Sequence, residues 1–191
     1  MKVRLKDLAE IQSGYPFRGA VVAGPPQCGV AVIQMRDLEE ELVPDLREVV
    51  WSDRISVKPT HLVKVGDVLF RGRGNAPAGY CLRELPVQCI AAAPLLRLRL
   101  RSNVLLPEFL AWYLRQETAQ AYFEGNAQGS AMRIVGVDVL ENLPIPVVPR
   151  EKQQKIVALV ELSERERKLR QRLGELKSIY VTKVINQWLG E

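Results

Sequence analysis

Three clusters of side chains in this 191-residue chain have types and spacing suited to chemistry, and in each case the chemistry is binding. Arg71, Arg73 and Asn75 crowd a glycine-rich stretch, 72–79. Gln128, Ser130 and Arg133 crowd a second, 125–133 (GNAQGSAMR). Tyr15, Phe17 and Arg18 lie in a third, 14–19 (GYPFRG). Arg, Asn and Gln make bidentate contacts with base edges, while Arg, Ser and backbone amides hold phosphates. Loops carried by a rigid scaffold are where such residues tend to sit. A plain flexible loop and a DNA-contacting loop are equal readings of 72–79.

The side chains of catalysis are sparse. His61 is the only histidine, and no Gly-x-Ser-x-Gly turn accompanies it, so a hydrolytic triad has no base and no nucleophile elbow. A surface or half-buried histidine is the plainer reading. The stretch 72–79 lacks the Gly-Lys-Ser/Thr ending of a phosphate loop, and Pro77 stands where a helix would begin. A metal-dependent nuclease would need clustered carboxylates beside a lysine. Asp45 and the Glu175–Lys177 pair supply the letters but lie far apart in sequence. A base methyltransferase grips a flipped base with Asn/Asp-Pro-Pro-aromatic, whereas Pro25-Pro26 follows Gly24 and precedes Gln27. Cys28, Cys81 and Cys89 form no Cys-x-x-Cys pair, so no Cys/His metal site is expected. The residues point to no catalyst, cofactor or metal.

The elements that must position these clusters fall into two parts, 1–149 and 150–191. Before Pro149 glycine and proline are spread throughout; after it there is no proline, and the only glycines are Gly174 and Gly190. The stretch 151–189 is rich in Glu, Lys, Arg, Gln and Leu and predicts one helix of about 58 Å. Leu159, Leu162, Leu169, Leu173, Leu176 and Tyr180 follow alternating steps of three and four, with Glu166 the one polar residue on that seam. A narrow heptad seam suits a partner helix, and Gly174 alone supplies no loop for a hairpin.

In the first part, Val30–Ile33 and Val68–Phe70 read as strands. In 95–101, Leu96, Leu98 and Leu100 alternate with Arg97, Arg99 and Arg101, and the plainer reading of the arginine side is an exposed face paired with Glu and Asp. Pro107 opens a helix expected to run from Glu108 to about Phe123. The prolines of 143–149 (LPIPVVP) require an extended strap into the long helix. The net charge is +5, with ten basic and six acidic residues from Arg150 onward. That balance permits an acidic partner without requiring one. No apolar run approaches membrane length and no signal core follows Met1, so a cytoplasmic protein is expected.

The order of segments resembles the DNA specificity subunits of type I restriction–modification systems. The matching pieces are 5–17 (LKDLAEIQSGYPF), 65–74 (VGDVLFRGRG), 106–114 (LPEFLAWYL), 143–149, and 151–157 (EKQQKIV) with the long helix behind it. Each piece is weak alone, but five in order cover nearly the whole chain. The resemblance implies an α+β architecture: a mixed α/β target-recognition domain with a twisted, mostly antiparallel sheet, then a coiled-coil spacer helix. It implies a non-catalytic subunit that reads one half of a bipartite target in double-stranded DNA. The subunit docks a methyltransferase subunit that methylates adenine and, where a system has one, a restriction subunit. Subunits of this kind usually carry two recognition domains and two helices, and this chain carries one of each. A second copy, paired antiparallel through the helix, is therefore expected to complete a palindromic interrupted site. The competing reading is a protein-interaction or decoy module without sequence-specific DNA binding. Base-contacting residues do not transfer within the family, so Tyr15, Arg18, Arg71, Arg73, Asn75, Gln128, Ser130 and Arg133 rest on local chemistry alone.

Overall fold

A computed structural model describes residues 1–25, 28–38, 42–53, 57–74, 76–85, 88–126 and 134–189. The chain divides into two compact units, Met1–Gln154 and Lys155–Glu191. The first begins with β1 (Lys2–Arg4), a single turn α1 (Leu5–Leu8) and β2 (Ala9–Ser13). Six more strands follow: β3 (Val30–Ile33), β4 (Val50–Ser52), β5 (Val68–Arg71), β6 (Ala78–Cys81), β7 (Cys89–Ala91) and β8 (Leu96–Leu100). Three short helices come next: α2 (Pro107–Tyr113), α3 (Glu117–Asn126) and α4 (Val137–Glu141). Strand β9 (Pro144–Pro146) then leads into α5 (Arg150–Leu189).

The fold is α+β with largely antiparallel pairing. Strands β2, β8, β5 and β6 form an antiparallel sheet in that order. Strands β4, β3 and β7 form a second, in which β3 runs parallel to β7. The proline strap pairs as β9 with β1, and Val147 N–H bonds the Met1 carbonyl.

Both faces of the four-stranded sheet are covered, which explains its sequence. Val68, Phe70, Leu96 and Leu98 share one face through the register Val68↔Leu98 and Phe70↔Leu96. This face meets the helices: Phe70 lies 5.4 Å from Phe123 of α3, and α2 packs on β5 and β6. The other face carries Leu69, Ala78 and Tyr80, which share a core with Ala31, Ile33, Cys89 and Ala91 of the second sheet. Burial of aliphatic and aromatic side chains on this scale is the main stabilising term of the unit.

The second layer corrects the expectation of an exposed arginine face. Arg97 shares its face with Leu69 and is only 4% exposed. Its guanidinium donates to Glu10 Oε1 (2.7 Å), Gln12 Oε1 (2.6 Å) and the carbonyls of Thr60 (2.9 Å) and Leu62 (3.3 Å). Arg99 forks onto both oxygens of buried Asp67, each at 2.7 Å, and Asp67 in turn accepts from Lys64 N–H. A buried cation survives only when most of its donors are met in this way, and of the Arg97 nitrogens Nε alone goes without a partner. The arginines thus hold the 58–67 segment against the sheet.

The helix expected over 108–123 is broken. It ends at Tyr113 and resumes at Glu117 as α3; between them Arg115 and Gln116 N–H bond the carbonyls three residues back, of Trp112 and Tyr113, and the Arg115 side chain packs on β6. Its Nε donates to the Gly79 carbonyl at 2.9 Å, and its guanidinium lies 4.5 Å from the Tyr80 ring centroid. Gln120 bridges the break by donating to the carbonyls of Leu114 and Pro77.

Helix α5 is continuous for 40 residues and passes straight through Gly174. Its first turn belongs to the first unit. Gln153 is fully buried there, accepting from Leu106 N–H and donating to the carbonyls of Val104 and Val148, each at 2.8 Å. From Lys155 onward the seam Leu159, Leu162, Leu169, Leu173, Leu176 and Tyr180 is exposed. No helix among the described residues is long and apolar enough to cross a membrane.

Candidate nucleic-acid interface

Strand register decides where the sequence clusters meet. β2 and β5 both pair antiparallel with β8, so they run parallel to each other. Ser13 and Phe70 both lie opposite Leu96. The segment after β2, with Tyr15 and Arg18, and the segment after β5, with Arg73, therefore leave the same end of the sheet.

Two glycines permit the close approaches at this end. A side chain at Gly14 would meet the Ala91 carbonyl oxygen at 2.7 Å. Its absence lets Tyr15 N–H bond Ala91 and the Tyr15 carbonyl accept from Ala93, stitching the loop onto the second sheet. A side chain at Gly72 would meet the Val135 oxygen at 2.6 Å, whereas Gly72 itself accepts from Val135 N–H at 3.0 Å. The stretch that follows 127–133 thus returns to the same end as Arg73.

The predicted side chains play different parts here. Tyr15 is half-buried, with its ring centroid 5.1 Å from Phe17 and 5.4 Å from His61. Tyr15 and Phe17 pack on Val30, Val32, Ile90 and Ala92, the outer face of the second sheet. Arg71 turns inward: it donates to the Leu38 carbonyl at 3.0 Å and lies 5.5 Å from the Tyr80 ring centroid. That geometry makes Arg71 a brace, against the expectation that its side chain projects from the loop. Arg18 and Arg73 are exposed and have no ion-pair partner among the described residues. Asn75, Gln128, Ser130 and Arg133 lie outside the described residues.

The sequence reading missed Arg36. It follows β3, is 66% exposed, and lines a cleft with Phe17, Val21 and Pro94, its contact to Asp37 being a loose 3.7 Å. A lone arginine after a strand carries no pattern, so only the tertiary fold sets it in one cleft with Phe17. Arg18 and Arg73 are exposed in the segments that leave this end of the sheet, and Tyr15 and Phe17 are half-buried. Guanidinium groups with uncommitted donors hold phosphates and base edges.

The residues weighed for nuclease or thiol chemistry are otherwise occupied. Asp45 is held by the Arg47 side chain, and Glu175 accepts from Arg172. Burial pushes the thiols of Cys81 and Cys89 up to about 12, so neither is a thiolate at neutral pH. Among the described residues no group of three or more His, Cys, Asp or Glu could hold a metal ion.

Comparison with known proteins bears on this geometry. A family model described as "Type I restriction modification DNA specificity domain" matches residues 1–174. The fold is similar to that of the HsdS subunit from Thermoanaerobacter tengcongensis, with a TM-score of 0.59 and 24% identity, over 87% of this chain and 37% of that one. It is also similar to the type I restriction–modification S subunit from M. genitalium, with a TM-score of 0.58 and 12% identity, over 86% of this chain and 39% of that one. A third solved chain, described in terms of complex assembly and conformational transition of the type I R-M system, matches with a TM-score of 0.57 and 24% identity, over 87% of this chain and 38% of that one. The chain spans less than two-fifths of the length of these structures. No curated protein matches it in sequence.

Proposed function

The chain belongs to the type I restriction modification DNA specificity domain family, and from that premise we propose that it is a non-catalytic reader of one half of a bipartite DNA target. Its recognition surface is the end of the four-stranded sheet where the segments after β2 and β5 emerge. What supports this reading is that Arg18 and Arg73 are exposed in the two segments that leave this end, with exposed Arg36 in a cleft beside Phe17, while Arg71, Arg97, Arg99 and Arg115 are committed to internal acceptors. Free cations at one edge of a rigid unit are what backbone positioning on DNA needs. Asn75, Gln128, Ser130 and Arg133 remain candidates for direct base readout on the chemistry of their side chains. The exposed seam of α5 receives a mate helix, and the assembly docks a methyltransferase subunit.

The test is selection of duplex DNA from a random pool by the chain together with its methyltransferase subunit. Recovery of a two-part motif supports the reading. Recovery of unselected sequence at an affinity set by salt alone would leave only a nonspecific basic protein.

A further inference from the structure

The heptad seam of α5 carries more information than its leucines. With Leu159 at position a, the a and d positions are Leu159, Leu162, Glu166, Leu169, Leu173, Leu176 and Tyr180. The flanking e and g positions between Ala158 and Ile179 hold four charged residues: Arg165, Arg170, Arg172 and Lys177. All four are basic. The acidic residues Glu161, Glu164 and Glu175 fall on the outer c and f positions.

In two-stranded coils the e and g charges face the partner and set its identity. In a parallel self-pair g faces e, which sets Arg165 against Arg170 and Arg172 against Lys177. In an antiparallel self-pair g faces g and e faces e, which again sets cation against cation. No orientation escapes the repulsion. Helix α5 softens it in part, because Glu166 pairs with Arg170 at 2.6 Å and Glu175 with Arg172 at 3.0 Å. Arg165 and Lys177 carry no ion pair among the described residues.

We propose that the occupant of this seam is a helix of different sequence with Glu or Asp at its e and g positions, and not a second copy of this chain. The expectation of an identical antiparallel mate gives way on these flanking charges. Glu166, the carboxylate on the seam, sets a further requirement: the mate carries a cation or an amide opposite it, since a leucine there would strand the charge. Attraction at the flanks combined with repulsion of the self-pair is how coiled coils choose partners. The inference rests on reading α5 as a pairing helix and not on DNA recognition.

The experiment uses the full chain and two synthetic helices of matching length, both with Leu at a and d except for an Asn at the position opposite Glu166. One carries Glu at every e and g position and the other carries Lys. The acidic probe is expected to bind at least about tenfold more tightly, with the preference shrinking as salt rises. In sedimentation the chain alone is expected to be monomeric at low salt. The double variant Arg165→Glu/Lys177→Glu leaves both intrahelical ion pairs intact and makes the facing pairs attractive in the parallel pair and in the antiparallel register that sets 165 against 172 and 170 against 177. It is expected to self-associate at least about tenfold more tightly than the unchanged chain. Equal binding of the two probes, binding of neither, or a tight self-dimer of the unchanged chain at low salt would each overturn the proposal. None of these readouts contains DNA, so failure of the recognition reading leaves them unmoved.

Discussion

The two units invert the usual placement of side chains. In Met1–Gln154 a few charges are inside: Arg97 and Asp67 are buried and Arg99 half-buried under the 58–67 segment, the arginines bonded to Glu10, Gln12, Asp67 and backbone carbonyls. In Lys155–Glu191 the leucines are outside, Leu162 and Leu169 each 63% exposed. A buried arginine bonded to several neighbours organises its own chain, whereas an exposed leucine row adds nothing to it. The contrast separates residues needed for the fold from residues needed for assembly, and it can be tested at each point.

The largest effect is expected on the helix. Leu169→Glu/Leu173→Glu removes two apolar side chains from the seam, each contributing about 2–3 kcal/mol when buried. Binding of an acidic mate helix should weaken by more than about a thousandfold in a titration, while the urea midpoint of the first unit stays unchanged. If that midpoint fell as well, the seam would be serving its own fold.

Arg97→Leu comes next. It removes the donor to the Thr60 carbonyl and the cation bonded to Glu10 and Gln12, at a cost of about 2–4 kcal/mol in urea unfolding. Loss of DNA binding without loss of stability would mean that Arg97 reads DNA after all. A smaller effect is expected from Arg18→Ala/Arg73→Ala, which should leave unfolding within about 0.5 kcal/mol of the parent. If both residues touch phosphate, the variant should lower the salt slope of DNA binding by about two.

The smallest effect concerns alkaline pH. The thiols of Cys81 and Cys89 titrate at about 12 in the folded chain against an ordinary value of 9.0. The folded state therefore keeps protons that the unfolded state releases. Stability from this source is complete below pH 9 and is lost as pH rises toward 12. Cys81→Ala/Cys89→Ala should flatten that decline in a pH series of melting temperatures. In the unchanged chain at pH 8, Cys28, which is exposed, should be the only thiol that reacts rapidly with a thiol reagent.

Much of this architecture can be read locally. The Leu/Arg alternation of β8, the proline strap and the continuous α5 each follow from period and composition. What escaped the sequence depends on contacts distant along the chain. Arg71 and Arg73 are identical in local pattern, yet Arg71 turns inward to Leu38 and Arg73 outward. The break after Tyr113 coincides with Arg115 reaching Gly79, a contact that no helix propensity encodes. Arg97 reads as a solvated face until the 58–67 segment is seen to cover it. On the seam, the leucines are plain in the sequence, while the meaning of the flanking cations appears only once the helix is continuous.

Mapping of adenine methylation on DNA treated with a type I methyltransferase subunit, with and without this chain, tests the account most directly. Methylation at a single two-part motif that appears only when the chain is present is the predicted result. The same motif without the chain, or scattered methylation with it, would contradict the assignment of sequence recognition to this protein.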